Sequence, residues 1–181
     1  ARQWAGEQKG IDVSADGANN FSFQIISGTP HSSIIKSMSM LGMGRKNLVT
    51  LETLSDREAI DVDTLEKYLQ ANQTQPIILV ANAGTVNTVD FDDLQAISEL
   101  KKKYNFWLHV DAAFGGFAAL SEKYKHLFQG INAADSITID AHKWLNVPYD
   151  AAMQFTKRKD LQLKVFQNSA AYLGDPAQSP D

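Results

Sequence analysis

Apolar and polar positions along this chain change period several times, and each change marks an element. Phe21 to Ile26 alternates with the period of a strand and stops at Gly28-Thr29-Pro30. Ile34, Ile35, Met38 and Leu41 then recur every three or four residues, predicting a helix over His31 to Leu41 that ends at Gly42 and Gly44. A short strand is expected over Asn47 to Leu51. Behind Asp61-Val62-Asp63, helical spacing returns at Leu65, Tyr68 and Leu69, and Gln75-Pro76 closes that unit before the apolar run Ile77 to Ala81. An unbroken apolar run of this length suits a strand covered on both faces. Phe91 to Tyr104 predicts another helix with Leu94, Ile97 and Leu100 inward, followed by the strand Phe106 to Val110 and a further short strand, Ser136 to Ile139.

Strands separated by helices imply crossover connections, hence an α/β fold with a mostly parallel sheet flanked by helices. Ligands in such sheets sit at the carboxyl ends of the strands, which directs attention to Asn82 to Thr88, Asp111 to Gly116 and Asp140 to Trp144. The two ends differ. Ala1-Arg2-Gln3-Trp4-Ala5 reads as helix under way without a start signal, and the expectation is a fragment; Gly174 to Asp181 reads as loop.

With 181 residues, 44% of them hydrophobic, one domain with one good core is expected. The net charge of −4 comes with scattered Lys and Arg, which gives no footprint for nucleic acid or an anionic membrane and favours a small soluble ligand. No cysteine is present, which excludes disulfides, thiolate metal sites and a cysteine nucleophile and fits a cytoplasmic protein. No apolar stretch approaches the roughly 20 residues of a membrane span.

Asp111 ends a strand otherwise fit for burial, and a buried carboxylate there needs a partner. A protonated ring nitrogen would serve; so would a role as helix N-cap or magnesium ligand. Small residues at Ala113, Gly115 and Gly116 would let a flat ring approach the backbone. Lys143 follows the Ser136 strand beside Trp144 and Leu145, where desolvation prepares an amine for imine formation, against the ordinary expectation of a solvated lysine. His142 suits a phosphate contact or a packed imidazole, and His31 suits ring stacking or a solvent-facing helix start. His31, His109, His126 and His142 show no i, i+4 pair, so no metal site is expected. Ser33-Ile34-Ile35-Lys36 lacks the partner motifs of a Ser-x-x-Lys enzyme, and Gly42-Met43-Gly44 reads as a turn.

Taken together, His31-Ser32-Ser33, Ala83-Gly84-Thr85, His109-Val110-Asp111-Ala112-Ala113 with Gly115-Gly116, and Asp135-Ser136 through His142-Lys143-Trp144 resemble the group II pyridoxal 5'-phosphate (PLP) dependent amino acid decarboxylases. The resemblance runs in order along nearly the whole chain. It implies PLP fold type I, the aspartate-aminotransferase-like fold, and a homodimer acting on a small-molecule amino acid. It also implies the reaction, loss of carbon dioxide from an L-amino acid to leave an amine; an aminotransferase or carbon-carbon lyase of the same fold, or an inert fragment, are the alternatives. Carried over by position, Lys143 would hold PLP as an imine, Asp111 would bind the ring nitrogen, and His31 and Ala113 would lie on opposite faces of the ring. Ser136 and His142 would lie near the phosphate, and Thr85 near the ring substituents or substrate carboxylate. Val86, Val89-Asp90 and Asp140 depart from the commoner pattern. The chain would be the central part of the PLP-binding large domain, without the phosphate loop and the small C-terminal domain.

Overall fold

In the computed structural model, which describes residues 1–18 and 21–168, helices α1 (Arg2–Glu7) and α2 (Val13–Asp16) precede strand β1 (Gln24–Ser27). Then follow α3 (Ser32–Met40), β2 (Leu48–Thr50), α4 (Val62–Ala71), β3 (Ile77–Asn82), α5 (Leu94–Lys103) and β4 (Trp107–Asp111). After three short 3-10 turns come β5 (Ser136–Asp140), β6 (Ala152–Thr156) and α6 (Lys159–Phe166). The strands form one six-stranded sheet in the order β2-β1-β3-β4-β5-β6. All neighbours run parallel except β5 and β6, which are antiparallel. The expected α/β architecture is present, and the tail expected as loop, Gly174 to Asp181, lies outside the described residues.

Alternation along the strands sorts side chains to two cores. Leu79, Ala81, Leu108 and Val110 face Leu65, Leu69, Leu94 and Ile97 of α4 and α5. Ile25, Ile78, Val80 and Trp107 face Trp4, Met38 and Leu161 of α1, α3 and α6. Both faces of β3 are therefore covered, and all six of its residues are buried, as its unbroken apolar run predicts.

Element bounds depart from expectation where side chains compete for the backbone. The helix expected from Phe91 begins only at Leu94. Asp92 is the reason: its buried carboxylate accepts from the backbone N–H of Asn82 and of Ile60, both at 2.6 Å. Phe91 meanwhile bridges to Ala83, and Asp93 caps α5 by accepting from Ala96 N at 2.9 Å. The strand expected from Phe21 starts at Gln24, where pairing with Ile77 of β3 begins. The strand expected over Asn47 to Leu51 is only Leu48–Thr50, after a 3-10 turn.

Candidate active site

Sheet order reverses at β1, whose neighbours are β2 and β3, and this is where an open parallel sheet leaves a crevice at its carboxyl edge. The turns after β1, β3, β4 and β5 carry His31, Thr85, Ala113 and Lys143 to that edge.

Asp111 ends β4 on the same face as Trp107 and His109. One of its carboxylate oxygens accepts from Ala113 N at 3.1 Å, and among the described residues the other has no hydrogen-bond partner and no cation is ion-paired to the group. Ala113 then ties β4 to β5, its carbonyl accepting from Asp140 N at 3.3 Å. Asp140 ends β5, and the 3-10 turn Ala141–Lys143 brings Lys143 Nζ back to its carboxylate at 2.9 Å. The turn is anchored by Ala141 N and His142 N, which both donate to Ala151 O across from β6. Trp144 Nε1 reaches back to Phe114 O at 2.5 Å. A short chain of bonds thus connects Asp111 to Lys143 through Ala113 and Asp140.

The remaining expected residues fall in different places. His31 is the exposed N-cap of α3, with Nδ1 accepting from Ser33 N at 3.3 Å and paired with Ser33 Oγ at 2.8 Å, so its solvent-facing alternative describes it here. His142 packs on the Tyr149 ring, centroids 4.5 Å apart, and donates from Nδ1 to Ala151 O at 3.2 Å. Its Nε2 lies 3.9 Å from Asp140. Thr85 is buried with its hydroxyl engaged: it donates to Glu58 and accepts from Asp90 N at 2.9 Å.

Ser136 is not brought to this edge. It starts β5 opposite His109, two pairs before the Asp111–Thr138 level, and its hydroxyl binds Trp107 Nε1 at 2.9 Å and His109 Nδ1 at 2.8 Å. The hydroxyl for which a phosphate contact was expected is here engaged by Trp107 and His109. The glycines also have another reason to be small. A Cβ on Gly115 would lie 2.3 Å from Ala83 O, and one on Gly116 would lie 2.8 Å from Ile139, so both serve the packing of strand ends.

Two acids, Glu58 and Asp92, escaped notice in the sequence, and Asp90 drew notice only as a departure from the commoner pattern. Glu58 accepts from the hydroxyls of Thr85 and Thr88, the latter at 2.6 Å, from Asn87 Nδ2 at 3.0 Å and from Thr88 N at 3.2 Å. These bonds, chiefly that of Thr85, pull its carboxyl down to about 2. Asp90 holds Arg57 by two contacts, 2.5 and 3.1 Å, and accepts from Glu58 N and Ala59 N. Asp92, buried beside them, is pushed up to about 6 by that burial against the pull of its two N–H donors. The signal for Asp90 and Asp92 was the acidic spacing Asp90, Asp92 and Asp93 directly after a strand-end loop. Two concavities, about 560 Å³ beside Arg57 and Asp90 and about 480 Å³ between the sheet and α1, α3 and α6, are not lined by Lys143.

A strand-end lysine and a strand-end acid with one free oxygen, joined across adjacent parallel strands, are what a pyridine-ring cofactor needs. The chain belongs to the pyridoxal-dependent decarboxylase family: the model of the pyridoxal-dependent decarboxylase conserved domain matches residues 20–181. The L-2,4-diaminobutyrate decarboxylase of Acinetobacter baumannii is 38% identical over 143 residues, 77% of this chain and 27% of that protein. The aromatic-L-amino-acid decarboxylase of Bacillus atrophaeus is 34% identical over 148 residues, covering 80% and 31%. The glutamate decarboxylase domain of a Vibrio parahaemolyticus diaminobutyrate-pyruvate transaminase and L-2,4-diaminobutyrate decarboxylase superposes with a TM-score of 0.81 at 26% identity, over 91% of this chain and 37% of that one. The chain spans about 30% of the length of the curated relatives it matches. The six-stranded sheet with helices on both faces is the fold of these PLP decarboxylases.

Proposed function

We propose that this chain supplies the central part of the PLP-binding domain of an amino acid decarboxylase, which converts an L-amino acid to the corresponding amine and carbon dioxide. The observation that carries this is the pairing of Lys143 with the half-free carboxylate of Asp111 through Ala113 and Asp140. These groups fit PLP in kind: a primary amine for its aldehyde, and an unpartnered carboxylate oxygen for its ring nitrogen.

PLP, when bound, supplies the electron sink that takes up the electron pair left on Cα as the bond to the carboxylate breaks. Lys143 would supply the primary amine that holds the cofactor through its aldehyde. Asp140, 2.9 Å from Nζ, orients that amine along the strand-end edge. Asp111 keeps a negative charge fixed at the end of β4, where Ala113 N holds one of its oxygens and leaves the other for the ring nitrogen. His31 stands at the start of α3 beside the same crevice, where a ring can cover a flat ligand. His142, close to Asp140 and Tyr149, is the group we assign to the phosphate side, and Thr85 to the ring substituents or substrate carboxylate. A homodimer in the cytoplasm accords with this function; the exposed Trp144, Leu145 and Tyr149 beside the lysine turn supply apolar surface for a second copy. Among the described residues, no helix is long and apolar enough to cross a membrane.

The test is product analysis with the whole enzyme and a panel of acidic, basic and aromatic L-amino acids. Stoichiometric carbon dioxide and amine are expected, both lost in Lys143→Ala. Formation of keto acid instead would replace decarboxylation with amino transfer.

A further inference from the structure

Beneath Asp111 lies a polar chain inside the sheet that the proposed reaction does not use. Trp107 Nε1–H donates to Ser136 Oγ at 2.9 Å, and Ser136 Oγ lies 2.8 Å from His109 Nδ1. A serine hydroxyl has one proton to give, and among the described residues no acceptor other than Nδ1 is available to it. Ser136 therefore donates to Nδ1, which leaves the ring proton on Nε2. That nitrogen faces Thr138 Oγ1 at 3.4 Å, and Thr138 is the cross-strand neighbour of Asp111. His109 and Asp111 are two residues apart on one strand and so share a face.

We propose that His109 is a positioning residue: Ser136 locks it as the neutral Nε2–H imidazole, so that it stands beneath Asp111 as a dipole and leaves that acid's negative charge for the ring nitrogen of the cofactor. This rests on the PLP function given above. The charge consequence follows from proximity. An imidazolium at this position would compete with the pyridine nitrogen for the same carboxylate, in a setting where water screens little. Burial pushes the imidazole's pKa down to about 4, outweighing the Asp111 carboxylate, which pulls it up. The ring is thus uncharged near neutrality. Trp107, 3% exposed, seals the far end of the chain and orients Ser136.

Two measurements on the protein test this. Long-range 1H–15N spectra of histidine-labelled protein, with His109 assigned by its loss in H109Q, are expected to show a protonated Nε2 and bare Nδ1 from pH 7 down to pH 5. In Ser136→Ala the ring proton should redistribute between the two nitrogens. A charged ring at pH 7, an Nδ1–H tautomer, or an unchanged tautomer in S136A would overturn the proposal. The second measurement is PLP affinity, with borohydride trapping and peptide mapping of the modified lysine. H109K, a fixed cation, should bind at least about tenfold more weakly than the neutral H109Q, the equivalent of one pKa unit. Equal affinity of the two variants, both folded by thermal melting, contradicts the proposal; where H109K does not fold, the tautomer in S136A decides. Failure of the wild type to trap PLP on Lys143 removes the cofactor function itself, an outcome distinct from either variant result.

Discussion

At the residue scale, carboxylates organise this edge both through ion pairs, Asp140 with Lys143 and Asp90 with Arg57, and through the hydrogen bonds they accept. Glu58 is the clearest case, taking bonds from Thr85, Thr88 and Asn87 and thereby fixing the loop after β3. Its carboxyl sits at about 2, below the ordinary 4.5, so the folded state prefers it ionised. The resulting stabilisation is complete above about pH 4.5 and is lost as pH falls through that value towards 2. Glu58→Gln should therefore shrink the loss of urea stability between pH 6 and pH 3, relative to wild type; an identical acid limb would show that the bonds to Thr85 and Thr88 are not retained in solution. The strand-end positions of Lys143 and Asp111 were legible in the sequence, because each lies where an apolar run stops. Glu58 was not, since a single glutamate in a polar stretch carries no spacing that says which loop it will meet 27 residues later.

At the element scale, strand ends and helix starts are joined by buried acids. Asp92 binds the backbone of both β3 and the segment before α4, which is why α5 starts late. Burial raises its pKa from 3.8 to about 6, so the folded state holds this proton where the unfolded chain has lost it. That contribution is full below about pH 4 and is lost as pH rises through 6, a descent on the order of 3 kcal/mol. Asp92→Asn, whose Oδ1 can still accept one of the two backbone N–H groups while its NH2 opposes the other, should cost about 1–3 kcal/mol and remove the descent. Stability profiles of wild type and D92N that remain parallel from pH 4 to 7 would contradict the assignment. Apolar runs such as Ile77 to Ala81 foretold the strands well, because burial on both faces needs little else. The antiparallel β6 was missed although Met153 and Phe155 alternate with Gln154 and Thr156; its exposed residues give no burial signal to set it apart from a loop.

At the scale of the whole molecule, the sheet order β2-β1-β3-β4-β5-β6 places the site, by gathering turns that are far apart in sequence along one edge. Period changes in the sequence predicted this α/β plan, and the strand-end rule pointed to turns that the sheet order gathers along one edge. It did not separate Ser136 from that edge: residues at the start and end of β5 are close in sequence but lie at opposite ends of a strand. The central claim is that this edge holds PLP on Lys143, opposite Asp111. The most direct measurement is borohydride reduction of the PLP-treated protein followed by peptide mass analysis. A phosphopyridoxyl group on Lys143, absent in Lys143→Ala and weakened in Asp111→Asn, is the predicted result; labelling of other lysines with Lys143 unmodified would contradict it.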